Sequence, residues 1–169
     1  MAKKGGGILP IAIYNSDIYF LFAREAMEPK SKISGQWSDF GGSHEKGETV
    51  FDTAIREGYE ETNNMFQSQE ELEKIVKENL ITKIEMKGYA TFLFEIKYDP
   101  YLPKRFKLDY ENTLKKDRQK VLEPNGLYEK DRVQWIKLEN LLINKSQFRK
   151  WYVYVLYKLD KFFKNGYKL

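Results

Sequence analysis

Residues Gly42 to Asn64 read GSHEKGETVFDTAIREGYEETNN. Glu48 follows Gly42 after five residues, and Arg56-Glu57-Gly58-Tyr59-Glu60-Glu61 follows Glu48 after seven more. From Thr49 to about Thr62 the run predicts a helix, with Phe51, Ile55 and Ala54 recurring at helical spacing. On a 3.6-residue period Glu57 and Glu61 are i and i+4, with Glu60 one position before, so the three carboxylates share one face. Crowded like charges destabilise an isolated helix. Hard oxygen ligands in such a cluster suit Mg²⁺ or Mn²⁺, which would relieve the repulsion. Phe51, Ile55, Gly58 and Thr62 form the neighbouring stripe and are expected to face the core. Arg56 can reach back to Glu48.

A lone E-x-x-E-E is more often a solvated helix face. The upstream Gly42-x5-Glu48 spacing and Arg56 reverse that reading, because together they resemble the Nudix box, G-x5-E-x7-R-E-U-x-E-E-x-G-U, with U a bulky aliphatic residue. Gly42, Glu48, Arg56, Glu57, Glu60 and Glu61 all fall in register. Six fixed positions would coincide by chance in about 10⁻⁴ of chains this long, or fewer. The resemblance implies that Glu57, Glu60 and Glu61 hold a divalent metal, with the Gly42 carbonyl as a further ligand. It also implies that Glu48 and Arg56 brace the loop. Three positions depart from the pattern. Gly58 stands where an aliphatic residue is usual, and glycine inside a helix costs about 1 kcal/mol relative to alanine. Asn63 and Asn64 replace the closing glycine and aliphatic residue. Asparagine suits the left-handed position that ends a helix, and the core contact given up at Asn64 is expected to pass to Met65 or Phe66.

The 169 residues predict one domain, residues 1–169, with 32% charged and 41% hydrophobic residues, an ordinary soluble balance. No apolar run approaches the length of a membrane span and the N-terminus has no signal-like character, so no membrane is expected. With no cysteine there is neither a disulfide frame nor a thiolate metal site, and the chain suits a reducing cytosol, which predicts a cytoplasmic location. A net charge of +4 permits anionic substrates without announcing nucleic acid. Nothing in the sequence bears on the oligomeric state.

Before the box, Ile8–Tyr14 and Ile18–Ala23 read as strands joined by a turn at Asn15-Ser16-Asp17. Arg24 to Gln36 reads as a loop, in which Arg24 and Lys30 or Lys32 are candidates to contact a substrate phosphate. Trp37 to Gly42 is a short strand. His44, the only histidine, is expected to be an exposed loop residue. After the box, Ser68-Gln69-Glu70-Glu71 is a capping-box signature opening a helix with Leu72, Ile75, Val76 and Leu80. Ile84–Tyr98 is one long strand or a bent pair around Gly88, ended by Asp99-Pro100 and Pro103. A helix is expected after Asp109. A turn at Pro124-Asn125-Gly126 precedes a strand at Val133–Ile136, and Ser146 is expected to cap a last helix. Its apolar stripe comprises Phe148, Trp151, Tyr152, Val155, Leu156, Leu159 and Phe162.

These elements fit an α/β fold, a Nudix-like α/β/α sandwich with a mixed central sheet and a long C-terminal helix. The function expected by resemblance is a divalent-metal-dependent pyrophosphohydrolase cleaving a diphosphate linkage in a nucleotide-type substrate. Several members of the family use a further glutamate before the last strand. Glu129 is the candidate, with Asp131 behind it, against a solvated turn. Two alternatives stay open. One is removal of a 5′ cap from RNA, for which the basic stretch Lys104–Lys120 with Tyr101, Phe106 and Tyr110 would track a polyanion and stack bases. The other is a non-catalytic nucleotide- or RNA-binding module, whose usual mark, loss of box carboxylates, is missing.

Overall fold

A two-residue turn sets the register of the first hairpin. In the computed structural model, which describes residues 4–28, 30–123 and 127–167, β1 (Gly5–Tyr14) and β2 (Asp17–Glu25) pair antiparallel, with Tyr14 opposite Asp17. Asn15 and Ser16 both hold positive φ, 51° and 64°, the turn whose twist matches the flanking strands. Both strands run further than the apolar pattern predicts. β1 takes in Gly5-Gly6-Gly7, where a side chain at Gly6 would collide with the Val50 carbonyl.

β3 (Trp37–Ser38) pairs with β2, and β4 (Phe40–Ser43) pairs with β1, placing Gly42 opposite Gly6. The box helix is α1 (Val50–Glu61). Thr49 caps it reciprocally with Asp52: the Thr49 hydroxyl accepts the Asp52 N–H at 3.1 Å, and the Asp52 carboxylate accepts the Thr49 N–H at 2.8 Å. Asn63 and Asn64 end it in the left-handed region, φ 47° and 66°, and Met65 and Phe66 pack against the core. Gly58 faces inward, and a Cβ there would lie 2.5 Å from Ile8 Cδ1. Ile8 of β1 therefore occupies the volume that the usual aliphatic residue would fill.

Ser68 caps α2 (Gln69–Glu78) by accepting the Glu71 N–H, while the Glu71 carboxylate accepts from Gln67 one residue earlier. Leu80, expected on this helix, instead opens β5 (Leu80–Met86). The apolar run resolves as the bent pair: β5 and β6 (Tyr89–Glu95) form a hairpin around Gly88, whose φ is +80°. α3 (Leu102–Lys116) starts well before Asp109, with Pro103 tolerated in its first turn, where a missing N–H leaves no bond unmade. α4 (Arg118–Leu122) follows. The turn expected at residues 124–126 lies outside the described residues. β7 (Lys130–Lys137) leads through 3-10 turns at Leu138–Asn140 and Lys145–Gln147 to α5 (Val153–Asn165). Ser146 sits in the second of those turns rather than capping the helix, and α5 has no side-chain cap.

The 7-stranded sheet runs β3-β2-β1-β6-β5, with β4 also on β1 and β7 on β2; β1 and β6 are parallel and the other pairs antiparallel. Alternation sends Leu9, Ile11, Phe20, Phe22 and Leu93 to one face, under Val155, Leu156, Leu159 and Phe163 of α5. Phe163, not Phe162, completes that stripe. Ile8, Leu21, Ala23, Phe92 and Phe94 line the other face, under α1, α2 and Phe106 of α3. Burying each of the larger of these side chains contributes roughly 1.5–3 kcal/mol. The result is the expected α/β/α sandwich. Among the described residues no helix is long and apolar enough to cross a membrane.

Candidate active site

Arg56 reaches back to Glu48. Arg56 donates from Nε to Glu48 Oε1 at 2.6 Å and from Nη2 to Oε2 at 3.1 Å, the forked geometry that suits guanidinium and carboxylate. The same Nη2 donates to the Ser43 carbonyl at 3.1 Å, and Glu48 also accepts from the Glu45 N–H and the Thr53 hydroxyl. The loop is thereby tied to α1. Arg56 holds the Glu48 carboxyl down at about 2, with the Glu45 N–H and Thr53 adding to the effect against partial desolvation. Arg56 does more than brace. Its Nη1 donates to Glu57 Oε1 at 2.9 Å and to Glu60 Oε2 at 3.4 Å, joining the loop and the acidic face in one network.

The Glu57 carboxylate lies directly over Gly42. A Cβ there would come within 2.5 and 2.6 Å of its two oxygens, so only glycine leaves room. Glu61, on the last turn of α1, is turned inward and 2% exposed. Its Oε2 accepts the Gly41 N–H at 2.7 Å, and its Oε1 lies 3.5 Å from Lys130 Nζ. Burial pushes the Glu61 carboxyl well above the usual range, against the pull of Lys130. Lys130 is fully buried and bonds Glu25, whose carboxylate is also 3.5 Å from Arg149 Nη1. Burial alone would lower the Lys130 pKa, but Glu61 and Glu25 outweigh it and the pKa stands raised. Burial raises Glu60 as well, with Arg56 opposing and Glu57 adding.

Glu129 precedes Lys130 and is exposed at the wall of a cavity of about 570 Å³, shared with Glu25, Tyr110, Arg118 and Tyr128. Partial desolvation there, and then the Glu25 charge, raise its pKa. Asp131, the second candidate, is taken up by the fold. A bulge in the β2–β7 pairing sets Arg24 opposite Arg132 and Glu25 opposite Lys130, leaving Asp131 as the extra residue. Asp131 takes both Arg24 nitrogens, Nε at 2.8 Å and Nη2 at 2.6 Å. Arg24 is therefore engaged within the fold, with 21% of its side chain exposed. Lys30 and Lys32 are exposed on the loop between β2 and β3. His44 is half-buried, with Nδ1 3.1 Å from the Thr53 hydroxyl, not an exposed loop residue.

Local reading missed Glu25, Lys130 and Arg149, and also Asp39. The last is buried beside Gly7, accepting from Thr91 Oγ1 at 2.7 Å and Tyr89 OH at 2.9 Å. Burial lifts its carboxyl to about 6 in spite of both hydroxyls.

Among the described residues no three acidic or histidine side chains close on one point. Glu57 and Glu60 turn to Arg56, and Glu61 turns to Gly41 and Lys130. The donors are nonetheless all hard oxygens. They sit beside a backbone kept bare at Gly42, and Glu25, Glu57, Glu60, Glu61 and Glu129 outnumber Arg56, Lys130 and Arg149 around them. That donor set and that excess of negative charge fit a hard divalent cation.

The NUDIX domain matches residues 7–158 of the chain. Over 70 residues the chain is 43% identical to an uncharacterised protein, L534, of Acanthamoeba polyphaga mimivirus; the match covers 41% of this chain and 22% of that protein. Three solved structures share the fold. The Nudix hydrolase RenU of M. smegmatis superposes with a TM-score of 0.57 at 12% identity, over 97% of this chain and 88% of that one. C. elegans Ap4A hydrolase gives 0.54 at 18% identity, over 96% and 98%. The bifunctional NMN adenylyltransferase/ADP ribose pyrophosphatase of Francisella tularensis, solved with AMP and a manganese ion, gives 0.53 at 20% identity, over 92% and 41%.

Proposed function

The chain belongs to the Nudix family, and from that premise we propose that it is a pyrophosphohydrolase cleaving a diphosphate linkage in a nucleotide-type substrate with Mg²⁺ or Mn²⁺. The observation that carries the reading is the set of carboxylates on α1 held against bare backbone: Glu57 over Gly42, and Glu61 on the Gly41 N–H. Glu57, Glu60, Glu61 and the Gly42 carbonyl would hold the ion. When bound, it would neutralise charge on the phosphoryl oxygens and lower the pKa of an attacking water.

The chain's own residues do the positioning. Arg56 fixes Glu57 and Glu60, while the Gly41 N–H and Lys130 fix Glu61. Glu129, at the cavity wall with a raised pKa, accepts the proton of the attacking water at its carboxylate. Lys30 and Lys32 meet the substrate phosphates from the loop, while Arg24 serves to tie β2 to β7. Retention of every box carboxylate argues against a purely binding module. The lack of cysteine accords with a cytoplasmic setting. Removal of a 5′ cap from RNA is the second reading, favoured by Tyr110 and Arg118 lining the same cavity as Glu129. Phe106 is 4% exposed, so it cannot stack on a base.

The test is a panel of nucleoside diphosphate derivatives and capped RNA, assayed with Mg²⁺ and Mn²⁺, in the wild type and in Glu61→Gln. Turnover is expected to fall by orders of magnitude in the variant, and the rise in Tm that the ion gives the wild type should be mostly lost. Unchanged turnover at saturating Mg²⁺ would sink the role given to Glu61.

A further inference from the structure

We infer that Asn63, where this chain departs from the closing glycine of the box, is a positioning residue for Glu129; the inference rests on the role proposed above for Glu129. Asn63 follows the last turn of α1 in the left-handed conformation, and its side chain is not idle there. It is 6% exposed. Its Oδ1 accepts the Tyr128 N–H at 3.0 Å, and its Nδ2 donates to the Lys130 carbonyl at 3.0 Å. The two bonds straddle Glu129, one on each side.

A glycine at this position would satisfy the backbone and supply neither bond. The amide supplies both, from a residue two places beyond Glu61 and three beyond Glu60. The glutamates of the helix and the glutamate of the loop are thus set relative to one another by one planar group. Tyr128 supports the reading. It holds a φ of +60°, which a side-chain-bearing residue keeps only where its surroundings dictate it. The Glu129 carbonyl is held separately by the Ala26 N–H at 2.8 Å, so its backbone is fixed before, at and after the residue. Its side chain adds nothing to the core, since Glu129 is exposed to the cavity. What the clamp fixes is where that carboxylate stands. Misplacement of a reacting group by about 1 Å can cost on the order of 100-fold in rate.

The experiment is a double-mutant cycle in kcat and KM on the best substrate of the panel, with saturating Mg²⁺, using wild type, Asn63→Gly, Glu129→Gln and the pair. Amide exchange at Tyr128 is read alongside. Asn63→Gly is expected to lower kcat about 10- to 100-fold with KM little changed, to speed Tyr128 exchange, and to add nothing in the Glu129→Gln background. Asn63→Asp keeps the acceptor and loses the donor. It should keep Tyr128 protected and lose less kcat, and it carries the same cycle if the glycine variant folds poorly. If Asn63→Gly costs the same factor in both backgrounds, or leaves kcat intact, the clamp is merely structural and the inference falls. If Glu129→Gln itself leaves kcat intact, the proposed role of Glu129 fails first and takes the inference with it.

Discussion

Two cations, Arg56 and Lys130, each gather more than one carboxylate, and they do so in opposite surroundings. The Arg56 side chain is 18% exposed and its main partner Glu48 17%, and every acid it touches lies in the box itself. Lys130 is 0% exposed, and its partners Glu25 and Glu61 come from β2 and α1. At the partly wet site, water and salt screen each pair, and loss of one partner is met by another or by solvent. At the dry site no solvent substitutes, and only Arg149, 3.5 Å from Glu25, and the Gly41 N–H on Glu61 remain. A charge left alone there keeps the full desolvation penalty, whereas the pair together roughly offsets it. The brace is therefore a redundant tie on a loop. The buried group is an anchor that decides where Glu61 stands.

If that contrast is right, Lys130→Met should be the most damaging change, costing about 3–5 kcal/mol in denaturant unfolding, since Glu61 stays buried without its cation and Glu25 keeps only Arg149 at 3.5 Å. A loss below 1 kcal/mol would erase the distinction between the two sites. Next comes a pH effect on the buried side, at Asp39. Its carboxyl sits at about 6 rather than 3.8, so the fold favours the protonated form. Stability should rise as pH falls from about 6 towards 3.8, by about 2–3 kcal/mol, and Asp39→Asn should flatten that slope in a Tm profile. The smallest effect is expected at the brace. Glu48→Gln should cost about 1 kcal/mol near neutral pH, with faster amide exchange in residues 43–48. Glu48 titrates in the opposite sense to Asp39: its contribution is complete above 4.5 and disappears as pH falls towards 2. In molar salt the cost of Glu48→Gln should shrink further, while that of Lys130→Met should hold.

The same contrast explains what could be read in advance. Glu48 and Arg56, the shared face of Glu57, Glu60 and Glu61, and the cap at Ser68 follow from spacing along a few turns of helix, so a short window of sequence contains both partners. Lys130, Glu25 and Arg149 are brought together by strand register and by the turn before α5, and no window holds them at once. The bulge at Arg24 and Glu25 is equally invisible locally. It turned a candidate phosphate ligand, Arg24, into the partner of Asp131. Pro103 and Asp109 misled in another way: a proline reads as a stop, yet it is also at home in the first turn of a helix such as α3. The inward turn of Gly58 was legible, but not that Ile8 would fill its place.

β1 carries one more consequence. One of its edges is divided between β4 along Gly5–Ile8 and β2 along Ile11–Tyr14, and the other belongs to β6, with Gly5 beside Tyr89. The hairpin with β2 closes across two residues, an event of about 1–10 μs. The pairing with β6 has to wait for a partner from the middle of the chain. On a ribosome adding roughly 5–20 residues per second, that wait lasts several seconds. Throughout it the apolar strand Ile8–Ile13 offers an unpaired edge to any other chain nearby. Yield in synthesis is therefore expected to fall as the surroundings grow more crowded while β1 is paired along one edge only, a vulnerability that the finished sheet no longer has.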